Sequence, residues 1–136
     1  MPDYDVAAKK NNAVWKGTAS MQLDKLTDTL IIWNRSNPPA EEVLGMKIKF
    51  EGAGTYILKN NQSWYYSTVG GDVIVSEYKL AENQNGKLII TSYDSTRNAI
   101  EGSFDILLKK KMSNPENNID SLHFTDGKFR GKWIDQ

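Results

Sequence analysis

The sequence predicts an all-β protein, an antiparallel meander of about eight to ten strands. Three observations indicate this class. Apolar and polar residues alternate with a period of two along most of the chain. Turn-forming glycine, asparagine and aspartate residues separate the alternating segments, and no long segment has helical periodicity. Because such short links usually join antiparallel neighbours, we expect an up-and-down, lipocalin-like β-barrel without exposed edges. A two-layer β-sandwich is the alternative.

The first strands and the interruption after them follow from local patterns. In the segment VWKGTASMQLD, polar and apolar side chains separate by parity over the ten positions 15–24, which indicates a half-buried strand. Residues 29–34 are rich in β-branched and aromatic side chains and should pair back as a hairpin. The prolines of NPPAEEVLG, residues 37–45, lack N–H donors and exclude a central strand there. We expect a helical turn within residues 38–45 or a bent loop.

The rest of the chain alternates again. MKIKFEGAGTYILK, residues 46–59, reads as two strands that meet at a glycine-rich corner. Asn85-Gly86 and Asp126-Gly127 tolerate positive φ at both central positions of a turn, which predicts two tight hairpins. The remaining predicted strands are SWYYST, DVIVSEYKL, KLIITSY, AIEGSFDILLKK, IDSLHFTD and GKFRGKWI.

A glycine recurs at inward positions of several strands. Tightly curved sheets need inward positions without a Cβ atom, where the backbone bends or a neighbouring aromatic ring covers the gap. We therefore interpret these residues as a curvature device. The glycines are Gly17, Gly54, Gly102 and Gly131. The same parity predicts a core of Trp15, Met21, Phe50, Tyr56, Phe104, Ile106, Leu108, Phe129 and Trp133.

Length and charge bound the domain organisation and the partners. We interpret residues 1–13 as a flexible polar leader and residues 14–136 as a single all-β domain. Seventeen basic and seventeen acidic residues cancel, so we expect no nucleic-acid partner. No segment has the ~20 apolar residues of a transmembrane span. The run Lys109-Lys110-Lys111 is typical of a solvated strand end.

Two motifs carry a resemblance to a known group of domains. LIITSYDSTRNAIEGSFDILL is followed by LHFTDGKFRGKW, with Gly54-Thr55-Tyr56 and Trp15 upstream. This pattern, over residues 14–134, resembles small β-rich cell-envelope lipoprotein domains of unknown function from Bacteroidota. The resemblance implies a location in the cell envelope or outside the cell, with a lipid-anchored parent chain, and it implies no activity.

No pattern in the chain points to catalysis. The chain has no cysteine and one histidine, His123, which lacks an identifiable partner and lies on the solvent parity of its strand. Glu101 and Asp105 share a face but stand ~13 Å apart along a strand, beyond the ~9.5 Å of a glycosidase pair. We therefore predict no catalytic residue, no metal site and no cofactor.

Adjacent aromatic residues give the one candidate binding site. Trp64, Tyr65 and Tyr66 are consecutive in one predicted strand, so at least one ring faces away from the core. Such a ring either supports sheet pairing or binds a ligand.

Three functions remain open on this sequence. The first is a non-enzymatic envelope or secreted domain that binds a small apolar ligand, a glycan or a protein. The second is a hydrolase acting on glycans or lipids, with carboxylates assembled from different strands. The third is a structural subunit of a surface assembly.

Overall fold

The chain folds into strands throughout the part that the computed structural model describes, residues 5–71, 73–80 and 85–134. Within those residues the one helical element is a 3-10 turn, Asn60–Gln62. The strands are β1 (Val6–Lys10), β2 (Ala13–Asp24), β3 (Thr29–Ser36), β4 (Glu42–Lys49), β5 (Gly54–Leu58), β6 (Ser63–Val69), β7 (Val73–Leu80), β8 (Gly86–Asp94), β9 (Ala99–Ser113) and β10 (Ser121–Lys132).

All ten strands belong to one antiparallel sheet, which confirms the predicted fold class. Around the sheet the order is β10, β1, β2, β3, β4, β6, β7 and β9, and β9 pairs with β10 again, so eight strands close a ring. The long β9 joins the parts. One edge pairs with β10, and the other pairs with β7 over residues 108–113 and with β8 over residues 99–105. Strand β5 extends the sheet beyond β8.

One hydrophobic core fills the enclosed face of the ring. Aromatic side chains pack edge to face within it, with ring centroids 5.2 Å apart for Trp15 and Phe124. The predicted core is confirmed, because six of its members are buried and three pack against them. The buried members are Trp15, Phe104, Ile106, Leu108, Phe129 and Trp133; the others are Met21, Phe50 and Tyr56.

The recurring glycines stand where neighbouring atoms leave no room for a side chain. A Cβ atom would lie 1.7 Å from the Arg35 carbonyl oxygen at Gly17, and 2.1 Å from the Ile89 carbonyl oxygen at Gly102. At Gly131 it would lie 2.6 Å from Cε of Met21. These three positions therefore require a residue without a Cβ atom, while their role in sheet curvature stays a prediction. Gly54 differs, because its Cβ would meet nothing within 4 Å and its φ of +150° instead marks the corner before β5.

Two of the predicted boundaries are wrong. The leader over residues 1–13 contains β1, which pairs with both β2 and β10 and buries Val6 and Ala8. Alanine and lysine have low strand propensity, so this short segment gave little signal. Residues 1–4 of that leader lie outside the described residues. Of the two alternatives for residues 38–45, a bent loop forms and a helical turn does not, and the 3-10 turn follows β5 instead. The prolines exclude a central strand over a shorter range than predicted, because β4 begins at Glu42, beyond both prolines, and pairs with β3 and β6.

Both predicted tight hairpins are also wrong. Gly86 opens β8, which pairs with β5 and β9 and does not pair with β7. Asp126 and Gly127 lie inside β10, at a register shift between Phe124 and Gly127, and Asp126 has a φ of +51°. A bulge, like a hairpin turn, recruits a residue that tolerates positive φ. The Asp126-Gly127 dipeptide therefore predicted the positive φ correctly, but its prediction of a chain reversal was wrong.

Candidate functional site

The three consecutive aromatic residues of β6 divide between the two faces of the sheet. Trp64 and Tyr66 lie on the outer face and are partly exposed. Tyr65 lies on the enclosed face with 5 % of its surface exposed, and its ring packs edge to face against Tyr78 at 5.6 Å. The strand alternation explains the split. An outer binding surface on β6 therefore consists of Trp64 and Tyr66.

Trp64 lies flat against the neighbouring strand. A Cβ atom on Gly45 of β4 would stand 2.1, 2.3 and 2.5 Å from Cε2, Cζ2 and Nε1 of the Trp64 indole. Because Cε2 is bonded to the other two atoms, such similar distances mean that the ring turns its face to the glycine. Gly45 therefore lies under one face of the indole, and Trp64 is partly exposed. Aromatic cover over a strand glycine stabilises the sheet locally.

A second tryptophan lies on the other side of the same glycine. Trp33 of β3 is the register partner of Gly45, and Gly45 is the register partner of Trp64. The two tryptophans are therefore two strand spacings apart, about 10 Å between backbones. The same register continues through Lys79 of β7 to Lys109 of β9. We call Trp33, Gly45, Trp64, Lys79 and Lys109 the outer row.

Two shallow depressions flank Tyr66 beside the outer row. Their volumes are about 290 and 280 Å³. The first lies on the β7 side and its outward lining includes Trp64, Ile74, Glu77, Lys79 and Lys111. The second lies on the β4 side and its lining includes Arg35, Ser36, Glu41, Val43 and Thr68.

Glu41 fixes the β6–β7 turn next to the second depression. Its carboxylate accepts hydrogen bonds from the Gly71 amide at 2.7 Å, the Thr68 hydroxyl at 3.0 Å and the Gly70 amide at 3.3 Å. The bond from Thr68 and those from the backbone amides hold the pKa of Glu41 below its ordinary value. The hydrogen-bonding groups of this turn are thereby held in fixed positions.

A partly buried polar network joins side chains of four strands on the enclosed face. The Glu42 carboxylate accepts the Tyr65 hydroxyl at 2.7 Å and the Trp15 indole N–H at 2.9 Å, and it also pairs with the Lys10 ammonium. These four side chains come from β6, β2, β4 and β1. Because the Glu42 carboxylate bonds to donors on three other strands, the network joins four strands.

The network shifts the pKa values of two of its groups, Glu42 and Tyr65, in opposite directions. Burial raises the pKa of Glu42, but the hydrogen bonds and the positive charge of Lys10 outweigh it and leave the pKa below its ordinary value. Burial, with the bond to Glu42, raises the pKa of Tyr65 well above its ordinary value. Glu42 therefore stays ionised and Tyr65 neutral near pH 7, which makes the carboxylate a weak base.

Two further groups of charged side chains lie on the outer face. His123 is exposed, as predicted, but it does have a partner, because its Nε2 lies 2.8 Å from Oδ1 of Asp105 on β9. The sequence could not place this cross-strand neighbour. A wide groove of about 710 Å³ crosses β8, β9 and β10. Each arginine of the groove pairs with an acidic side chain. Arg97 lies 3.8 Å from Asp94, and Arg130 lies 4.0 Å from Asp5.

Metal and membrane features are absent from the residues that the structure describes. Those residues contain no group of three or more histidine, aspartate or glutamate side chains arranged to hold a metal ion. In the same part of the chain, no helix has the length and apolar character needed to cross a bilayer.

Comparison with known proteins identifies the family. Residues 4–131 match the family described as a domain of unknown function, DUF6252. The chain belongs to this family. No curated protein and no solved structure matches this DUF6252 domain.

Sequence reasoning found part of the outer surface of this DUF6252 domain. Trp64 and Tyr66 were candidates because of their adjacency, whereas Trp33, Gly45 and the lysines of the outer row were not. The parity of LIIWNRS could have placed Trp33 outside, opposite Leu30 and Ile32. Nothing local places Gly45 under Trp64, because that contact depends on the register between β4 and β6.

Proposed function

We propose that this domain is a non-enzymatic glycan-binding domain whose ligand stacks on Trp64 and Trp33. The observation that carries the proposal is the Trp64 indole, which lies face-on over Gly45 on the outer face of the sheet and is partly exposed. The C–H groups of a sugar ring are weakly positive and are attracted to the negative face of an aromatic ring. Trp33, two strand spacings away in the same row, adds a second aromatic group to the platform.

The surroundings of the two tryptophans support a glycan over an apolar ligand. Hydroxyl groups need hydrogen-bond donors and acceptors at the edge of the stacking platform. Arg35, Glu41, Glu77 and Lys79 line the two depressions beside Tyr66 and supply both kinds. A small apolar ligand would instead suit an enclosed cavity, and the enclosed face is packed with core side chains.

Binding of soluble polysaccharides by isothermal titration calorimetry tests the proposal. A panel of neutral and anionic polysaccharides should contain at least one ligand, and Trp64→Ala should weaken its binding about tenfold or more, the scale of base stacking on aromatic side chains. Tyr93→Ala is the control, since Tyr93 is 39 % exposed on β8, away from the outer row. Its ring packs against Phe50 and Trp133, so both variants are compared at a temperature at which each is folded. The proposal fails if no member of the panel binds, or if Trp64→Ala binds as tightly as the wild type.

A second variant separates loss of the platform from loss of the fold. In Gly45→Ala/Trp64→Ala the new methyl group occupies space that the indole leaves, so the sheet stays covered. This variant should melt close to the wild type and still lack glycan affinity. Retained affinity in a folded double variant would contradict the proposed role of Trp64.

The proposal also includes a location. The resemblance to envelope lipoprotein domains supports a lipid-anchored parent chain in the cell envelope or outside the cell, where polysaccharides are accessible. Labelling of the full-length parent protein with a radioactive fatty acid tests this. Absence of label from the full-length protein would contradict the anchored location.

A further inference from the structure

Two lysines beside the aromatic platform face each other without a counter-charge. Lys79 of β7 and Lys109 of β9 are direct register partners, and both side chains are exposed. Like charges placed directly opposite on a sheet destabilise it. Among the residues that the structure describes, neither lysine forms an ion pair, and the register partners beyond them, Trp64 and Ser121, carry no charge.

Other lysines in the same region do have carboxylate partners. The Lys111 ammonium lies 3.4 Å from a Glu77 carboxylate oxygen, which occupies the acidic group nearest to Lys79 along β7. Lys110 turns from the run of three lysines toward Glu116, at 2.6 Å. The run predicted as a solvated strand end therefore separates into three environments. Lys109 alone is left beside another cation.

The spacing places both cations within reach of a ligand on the platform. Lys79 is one strand from Trp64 and Lys109 is two, which corresponds to about 5 and 10 Å between backbones. A charged sugar carries its carboxylate or sulfate on the edge of the ring. A ring stacked on Trp64 would thus direct its charge toward Lys79, and the next sugar would reach Lys109.

We infer that the ligand is an anionic glycan, a polysaccharide with carboxylate or sulfate groups, whose charges bind Lys79 and Lys109. This inference rests on the proposed glycan-binding function and names the chemical class of its ligand. The aromatic rings stack on the sugars, and the lysines select chains that carry negative charge. The ligand anions replace the counter-charge that the sheet lacks at this position.

Matched pairs of polymers test the inference. Polygalacturonate and its methyl ester share a backbone and differ in carboxylate charge, and dextran sulfate and dextran differ in sulfate charge. The wild type should bind the charged member of at least one pair about tenfold more tightly at low salt, and the preference should shrink at high salt. The pair that shows the preference identifies the carboxylate or the sulfate as the ligand group.

Lysine variants then assign the preference to the outer row. Lys79→Gln/Lys109→Gln should lose the preference for the charged polymer and keep the affinity for its neutral partner. Lys87→Gln/Lys128→Gln, at exposed positions of β8 and β10, is the control and should bind as the wild type does. Lys79→Glu gives a second readout, because it should raise the melting temperature by pairing with Lys109 and still weaken binding.

The outcomes separate the two proposals. Equal binding of charged and neutral polymers that depends on Trp64 would overturn the charge inference and leave the glycan function in place. No binding to any of the four polymers, at low or high salt, would overturn the charge inference, and no binding to any member of the wider polysaccharide panel would overturn both. Tighter binding of a single-stranded oligothymidylate than of every glycan would also overturn both, because it would make the outer row a nucleic-acid site.

Discussion

Gly45 should be energetically coupled to Trp64, and its replacement by alanine tests the geometry of the platform. The added methyl carbon would stand 2.1 Å from Cε2 of the indole, where carbon atoms prefer about 3.5–4.0 Å. The indole ring must therefore move outward by roughly 1 Å or more, and it then loses its contact with β4. Overfilling of this kind costs about 1–3 kcal/mol. Alanine also stabilises the protein by about 0.4–1 kcal/mol, because it lowers the conformational entropy of the unfolded chain. We therefore expect the free energy of unfolding to fall by about 1–2 kcal/mol.

A double-mutant cycle measures the contact itself. With Trp64→Ala in the background, the methyl group at position 45 has space, and Gly45→Ala should become neutral or stabilising. The coupling free energy between the two sites should reach about 1–3 kcal/mol, as for residues in direct contact. Urea denaturation of the wild type, both single variants and the double variant gives the four free energies of unfolding.

The same cycle also contains the result that would refute the reasoning. If Gly45→Ala destabilises equally with and without the indole, the glycine is needed for another reason and the flat orientation of Trp64 is wrong. In the glycan assay, Gly45→Ala should weaken binding although both tryptophans are present, because the ring no longer lies in the outer row. Unchanged affinity in that variant would show that glycan binding does not depend on the position of the Trp64 ring.

Three further outcomes follow from the enclosed face. Gly102→Val should destabilise by at least ~1–3 kcal/mol in urea melts, because its Cβ would lie 2.1 Å from a carbonyl oxygen, whereas Ser103→Val, its outward neighbour, should be near neutral. Phe104→Ala should cost ~3–5 kcal/mol and Lys132→Ala ~0.5 kcal/mol or less, and equal melting shifts would contradict the assignment of faces. The Glu42 carboxylate has a lowered folded-state pKa, so its contribution to stability is complete above about pH 4.5 and is lost as the pH falls through the lowered value. The stability difference between wild type and Glu42→Gln should therefore shrink on acidification below about pH 4.5, and a constant difference in melts across that range would refute the network.

The faces of the strands could be predicted from the sequence because each depends on only one strand. Trp15, Phe104 and Trp133 are buried as their parity requires, and Trp64 and Tyr66 share the outer face. Asp126 shows where this local information ends. Its positive φ was predictable from the residue types, but a bulge and a hairpin use the same conformation, and only the partner strand distinguishes them.

The candidate site depends on the register between strands that are distant in sequence. Trp64 meets Gly45 across 19 positions of the chain, and Lys79 meets Lys109 across 30, as the pairings of β4 with β6 and of β7 with β9 show. A register shift of one residue would turn every side chain of a strand to the other face. Alternation in each strand fixes the parity, but many registers share that parity. The outer row therefore could not be predicted from the sequence.

Among the described residues, charged side chains are paired on the enclosed face of the sheet and unpaired at the outer row, and this contrast supports a ligand at the outer row. Inside, the carboxylate of Glu42 is surrounded by donors from three other strands, and its network is complete. Outside, Lys79 and Lys109 repel each other across adjacent strands next to the partly exposed ring of Trp64. A sheet arranged for stability alone would gain from a carboxylate at either lysine. Local instability of this kind is characteristic of binding surfaces, where stability is reduced in favour of function. An increase in stability together with a loss of anionic-glycan affinity in Lys79→Glu would show that trade-off within one residue, whereas an increase in stability with unchanged affinity would make the lysine pair a structural accident.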